Sequence, residues 1–187
     1  MYYKMELWII IGMLIFMTIS NIYTLIAGNR YYKGHNYPLF DLLHENLPNL
    51  DKYHSIVDIF AFCSLASLFF VSSKEITVEF ITKLIVIMFI RSITIATTIL
   101  PKNYNCDDTL NFRSFFLGGC YDKIFSGHTA TTLLLTLIYY REHIINLETL
   151  VGINLVNMFF IIATRAHYTV DVLLSIFVTT TIYKLDI

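Results

Sequence analysis

The stretch LWIIIGMLIFMTISNIYTLIA, from Leu7 to Ala27, carries no charged side chain. It is about 20 residues long, the length an α-helix needs to cross a hydrocarbon core of roughly 30 Å. A secretory signal peptide is the rival reading, because Lys4 precedes the run. The run is longer than a usual signal core, however, and no small-x-small cleavage site ends it. It is read as the first of several crossings. Working outward, similar apolar runs occupy 56–71, 76–100, 126–140, 149–164 and 169–184. Between them lie short polar connections and two longer loops. The first, Asn29 to Ser55, holds Gly34, Pro38 and Pro48; the second, Lys102 to Phe125, follows Pro101 and holds Gly118 and Gly119. Proline and glycine punctuate the chain at element ends. The expectation is an all-α, polytopic membrane protein, a six-transmembrane-helix bundle in which residues 1–187 form one unit. The last three runs are near the lower limit for spanning, which fits tilted packing or a thin membrane.

Composition supports a lipid solvent. Hydrophobic residues make up 56% of the chain and charged ones 14%, against roughly 25% charged in a soluble domain. The mean hydropathy is +0.63. A net charge of −1 lacks the basic stripe of a nucleic-acid binder. Cys63 lies in an apolar run, while Cys106 and Cys120 share a polar loop and could pair in an oxidising compartment. Six crossings place the loops at 28–55, 101–125 and 165–168 on the side opposite the termini, and almost every unusual polar residue falls in or beside those loops. The distribution of Lys and Arg does not settle orientation and, read alone, disfavours cytoplasmic termini.

Two histidines stand out. His128 lies in Ser126-Gly127-His128-Thr129, where a polar loop becomes a helix. A helix N-terminus offers unpaired N–H groups and partial positive charge to an oxyanion, and the small Ser126 and Gly127 let a ligand approach the backbone. His167 and Asp171 are spaced to share one helix face. A carboxylate there can fix the imidazole tautomer and balance the cation formed after attack. A lone boundary histidine is most often an interfacial polar residue, and an aspartate at a helix start is often a cap. Their convergence on one side of the membrane favours function. Arg91 lies mid-helix with Thr94 and Thr98 on its face; it is expected either to pair with a carboxylate or to help hold a phosphate.

The fuller strings resemble the sphingomyelin synthase family within the lipid phosphatase superfamily. Cys120-Tyr121-Asp122-Lys123-Ile124-Phe125-Ser126-Gly127-His128-Thr129 is similar to that family's third motif, and His167-Tyr168-Thr169-Val170-Asp171-Val172 to its fourth. Arg91-Ser92-Ile93-Thr94 through Thr97-Thr98-Ile99-Leu100-Pro101 looks like the second, and Pro38-Leu39-Phe40-Asp41 is a loose echo of the first. The family-like core is about 38–187. Tyr121 departs from the pattern, standing where the family has glycine.

The resemblance implies a phosphatidylcholine:ceramide cholinephosphotransferase-type enzyme, or its phosphatidylethanolamine counterpart. Such an enzyme moves a phospho-head-group to ceramide and releases diacylglycerol. His167 would be the nucleophile, Asp171 its orienting partner and His128 the acid and base. Ser126, Gly127, Arg91, Asp122 and Tyr168 would contact substrate. Lys123 and Arg165 could attract the phosphate, and Tyr121, Tyr168 and Phe125 could cage a quaternary ammonium. No cofactor or metal is expected. The partners would be membrane lipids, and association of like chains stays open. The site would face the lumen or exterior, in Golgi, endoplasmic reticulum or plasma membrane, where a Cys106–Cys120 disulfide could form. Two alternatives remain: a lipid phosphate phosphatase, which resembles a pattern with Lys-x6-Arg-Pro that is absent here, and an inactive lipid-binding protein.

Overall fold

The computed structural model describes residues 7–33, 37–102 and 119–185, and over these residues the chain is all-helical. In chain order the helices are α1 (Leu7–Tyr31), α2 (Leu42–Asn46), α3 (Ser55–Val71), α4 (Lys74–Thr97), α5 (Gly127–Arg141), α6 (Leu147–Ala163) and α7 (Thr169–Tyr183). One 3-10 turn at Asp51–Tyr53 precedes α3. Local chemistry sets several of the starts. Ser73 caps α4 by accepting from Ile76 N at 3.3 Å, and Asn146 caps α6 by accepting from Thr149 N at 2.9 Å. The described part of the long loop expected at 29–55 is more ordered than its composition suggested. It contains α2 and the 3-10 turn, and α2 packs on the ends of α6 and α7.

Among the described residues three helical segments are long and apolar enough to cross a membrane: Leu7–Tyr31, Asp51–Val71 and Lys74–Thr97. The six-span expectation is thus met in part, by three long spans and three shorter helices. α5, α6 and α7 have 15, 17 and 15 residues, and at 1.5 Å per residue they are about 22–26 Å long. The reason lies in their ends: each is cut short by a polar turn that shapes the site or the opposite face.

α5 is the central element, packed against α3, α4, α6 and α7, while α1 lies outside on α4. The interior combines an apolar cluster that includes Phe80, Ile87, Phe125 and Leu134 with a buried polar seam. Thr129, Thr131, Thr132 and Thr136 of α5 are buried, and Asn154 of α6 donates to Thr136 Oγ1 at 2.8 Å. Other large apolar side chains face outward, Phe69 at 89% and Phe70 at 86% exposure among them. An apolar exterior around buried, bonded polar groups suits a lipid solvent, in which polar groups must be satisfied internally. α1 docks through Ser20, Thr24 and Gly28, a small residue every fourth position that lets two backbones approach. Thr24 Oγ1 reaches Ile95 O on α4 at 3.2 Å.

At the end of the bundle away from the histidines, the buried Glu79 and Lys83 and the half-exposed Arg141 form one set. Arg141 donates to both oxygens of Glu79, at 2.8 and 2.6 Å. Lys83 lies 3.0 Å from Glu79 and donates to Tyr183 O at 2.8 Å. The set clamps α4, α5 and α7 together. Removing one member of a buried ion pair strands the other and costs about 3–5 kcal/mol, whereas replacing both by apolar groups is often neutral. Glu79→Leu should therefore destabilise the protein by about 3 kcal/mol, and Glu79→Leu with Lys83→Leu should recover most of the loss. Arg141, half-exposed, can still pair with Glu142. Thermal unfolding of the detergent-solubilised variants would reveal the difference.

Candidate functional site

α5 starts at Ser126, whose Oγ accepts from Thr129 N at 3.2 Å and from Thr129 Oγ1 at 3.0 Å. The Ser126 backbone N–H donates in turn to Ser175 Oγ on α7 at 2.7 Å. The Ser126 hydroxyl is thus engaged as a helix cap and lies fully buried. Gly127 follows, and a Cβ placed on it would lie 3.7 Å from Arg91 Nε. α4 therefore delivers the guanidinium directly to the start of α5. Arg91 is paired with Asp122, and its Nη1 lies 3.4 Å from Asn21 Oδ1 on α1. Its Nε is buried without a hydrogen-bond partner. A buried, unpaired donor of this kind is costly, and here it sits beside Gly127 at the start of a helix.

His128, the next residue of α5, places Nε2 3.0 Å from Asp58 Oδ1 on α3. His167 lies in the turn between α6 and α7, at 7% exposure. Its Nδ1 is 3.1 Å from Lys123 O and 3.4 Å from Asp171 Oδ2. A carbonyl oxygen can only accept, so Nδ1 carries the proton and Nε2 keeps its lone pair. Asp171 is the farther partner, and its Oδ2 also accepts from Tyr168 N at 2.9 Å. Lys123 donates to Ala166 O at 2.6 Å, closing the turn onto the 120–126 segment. The His128 and His167 rings lie 6.4 Å apart, centroid to centroid.

Burial, the nearby Lys123 cation and His128 together push His167 well below the ordinary imidazole value. It is held neutral, the state a nucleophile needs. Burial holds His44 down as well.

The structure brings together His128, His167, Asp171, Gly127, Arg91 and Asp122. Tyr168 stands apart: its hydroxyl accepts from Leu39 N at 3.2 Å and its ring lies against His44. Arg165 also turns away, donating to His44 O and Leu47 O. The ammonium cage does not form. Phe125 is in the main core with Ile87 and Leu134, whereas Tyr121 packs with Leu25 and stacks on Tyr32. Cys120 is buried and disulfide-bonded and Cys63 is an exposed free thiol, whereas Cys106 lies outside the described residues. Lys4, Arg113 and Gly118 lie outside them as well. Sequence reasoning missed Asp58 and Asn21. Asp58 was detectable as the one carboxylate in an otherwise apolar run; Asn21 is uncharged and gave no comparable signal.

Two outcomes follow from this geometry. A Cβ on Gly28 would lie 2.3 Å from Tyr121 Cγ, an atom near the backbone that cannot move aside cheaply. Gly28→Ala should cost about 1–3 kcal/mol, and Tyr121→Gly in the same chain should relieve it; denaturation midpoints of the single and double variants check this. The second concerns pH. An unfolded chain takes up protons near pH 6.5 that the buried, neutral histidines refuse, so stability falls as pH drops through that value. The unfolding temperature should decrease between pH 7 and pH 5. His167→Gln should flatten that slope, and an unchanged slope would count against the neutral-histidine assignment.

Residues 119–187 match the family model described as PAP2 superfamily C-terminal. No curated protein matches the chain. The matched stretch, well under half of the chain, contains both histidine motifs and the three helices α5–α7. This similarity supports the lipid phosphatase superfamily, and with it a phosphoryl-transfer type of lipid chemistry.

Proposed function

We propose that this chain transfers a phospho-head-group from a glycerophospholipid to ceramide, through a phosphohistidine at His167. The observation that carries the reading is the pinned Nδ1 of His167, which leaves Nε2 unprotonated 6.4 Å, ring to ring, from a second imidazole. In the first step Nε2 attacks phosphorus and the bond to the diacylglycerol oxygen breaks. His128, protonated, gives its proton to that oxygen, while Asp171 balances the charged phosphoimidazole. In the second step His128 takes the proton of the ceramide primary hydroxyl, the new P–O bond forms, and the N–P bond breaks. General acid–base help of this kind is worth about 10²–10⁴-fold. Asp58, bonded to His128, orients that ring.

The start of α5, with its N–H groups and Arg91 Nε, is suited to the non-bridging phosphate oxygens. The charge balance favours a diester. Arg91 is already paired with Asp122, and Arg165 is committed to backbone carbonyls. A phosphomonoester, with nearly two negative charges, would call for more uncompensated cations. Gly127 gives backbone access, while Ser126 supports the site as the cap of α5. α5, α6 and α7 would complete six crossings in a locally thinned bilayer, with the site at the lumenal or exterior surface of an endomembrane or the plasma membrane.

The test is a transfer assay with fluorescent ceramide and either phosphatidylcholine or phosphatidylethanolamine. A ceramide phospholipid should appear and be lost in His167→Ala and His128→Ala. Arg91→Gln should lower the rate roughly 10- to 100-fold; full activity in that variant would remove Arg91 from the site. Phosphate release from phosphatidate with ceramide unmodified would instead identify a phosphatase, and a well-folded protein inert to both would identify a lipid-binding protein.

A further inference from the structure

Tyr168 occupies the N-cap of α7, a position where serine, threonine, asparagine or aspartate usually supplies an acceptor. Its side chain makes no cap hydrogen bond. The acceptor comes instead from the opposite end of the chain. Asp41 Oδ2 accepts from Thr169 N at 2.6 Å, and Asp41 Oδ1 accepts from Thr169 Oγ1 at 2.7 Å. The same Oδ1 accepts from Leu43 N at 3.0 Å and His44 N at 3.1 Å, the first turn of α2. One carboxylate therefore caps two helices. Burial alone would raise its pKa, but the bonds from Thr169 and His44 outweigh burial and hold it below the ordinary carboxylate value.

The rest of the 37–50 segment is fastened across the same turn. Leu39 N donates to Tyr168 Oη, and His44 Nε2 lies 3.1 Å from the carbonyl of His167 itself. Arg165, whose φ of 58° is unusual for a residue with a side chain, donates to His44 O and Leu47 O. Leu50 N closes the segment onto Ala163 O at 2.8 Å. These bonds grip the backbone on both sides of His167 rather than its reacting ring.

We infer that Asp41 is a positioning residue for His167, capping α7 from the 37–50 segment and thereby fixing the backbone that aims the imidazole. The inference rests on the reading of His167 as nucleophile, and the 37–50 segment is a strap that sets its geometry. A misplacement of about 1 Å at a reacting group can cost 10²-fold in rate. Loss of the strap should therefore appear in turnover rather than in donor binding.

Asp41→Asn is a selective probe. Its remaining oxygen can still cap α2, but its amide presents a donor to the N–H of Thr169. Two readouts on the full-length protein in lipid nanodiscs separate the outcomes: imidazole nitrogen NMR of His167, and kcat with KM for head-group transfer. The wild type should show a single Nδ1–H tautomer at His167. Asp41→Asn should give mixed tautomers, with kcat lower roughly 10- to 100-fold and KM within about twofold. Thr169→Val should lower kcat by roughly fivefold, and its effect should not add to that of Asp41→Asn. Wild-type tautomer and kcat in folded Asp41→Asn would overturn the inference. Should Asp41→Asn fail to fold, Thr169→Val decides on the same two readouts. A wild type that transfers nothing to ceramide, yet whose His167 signature changes in Asp41→Asn, would sink the transferase reading and leave the positioning role standing.

Discussion

The two histidines face each other because α5 and α7 begin side by side, and few atoms hold them there. The Ser126 N–H is tied to the Ser175 hydroxyl at 2.7 Å, one turn below Asp171. The Lys123 carbonyl is tied to the His167 ring at 3.1 Å, and the Lys123 ammonium to the Ala166 carbonyl at 2.6 Å. In lipid, water cannot compete for these groups, so an unmade bond costs its full desolvation penalty. The polar seam between the helix starts is thus a condition of folding as well as of chemistry. α5 extends it down the bundle through its buried threonines, and the Glu79, Lys83 and Arg141 set closes the far end.

Hydropathy made the helices legible. The expected run from Leu7 to Ala27 became a helix continuing to Tyr31, and the five later runs each match one helix to within a few residues. Periodicity contributed less, because a helix with lipid on one side and protein on the other is apolar nearly all round. The ends were harder to read. Thr149 was taken as the start of α6, but Asn146 caps it, since the apolar count ignores the capping oxygen. The 29–55 loop was mistaken for plain connection for a similar reason. Its order comes from Asp41, whose partner Thr169 is distant in sequence, and no local pattern announces a cap supplied from so far away.

The chemistry was legible where two partners lie within one turn and hidden where they do not. His167 and Asp171 declare themselves by spacing, and Ser126-Gly127-His128 by its place at a helix start. The Asp58 partner of His128 sits on α3, and the Lys123 carbonyl that fixes the His167 tautomer carries no side-chain signature at all. Tyr121 departs from the family pattern, standing where a glycine is expected. The structure gives its physical counterpart in Gly28, where the ring lies against bare backbone and stacks on Tyr32.

The two histidines differ in a way that suits the proposed two-step reaction. Asp171 is fully buried and the His167 side chain nearly so, whereas His128 and Asp58 side chains are 30% and 41% exposed. A phosphoryl group carried on His167 would rest in the dry part of the site, flanked by the Lys123 backbone and the strapped turn. Water at that position would hydrolyse the intermediate and waste the donor lipid. The acceptor alcohol must instead arrive where its proton can be taken, which is at the more open His128. On the proposed reading, a nucleophile placed deep and a proton carrier at the rim would favour transfer over hydrolysis. A phosphatase built on the same pair of histidines would have the opposite need, an open path for water to the phosphorylated ring. On that reading, the burial of His167, whose carbonyl lies 3.1 Å from His44 Nε2 of the 37–50 segment, speaks for transfer.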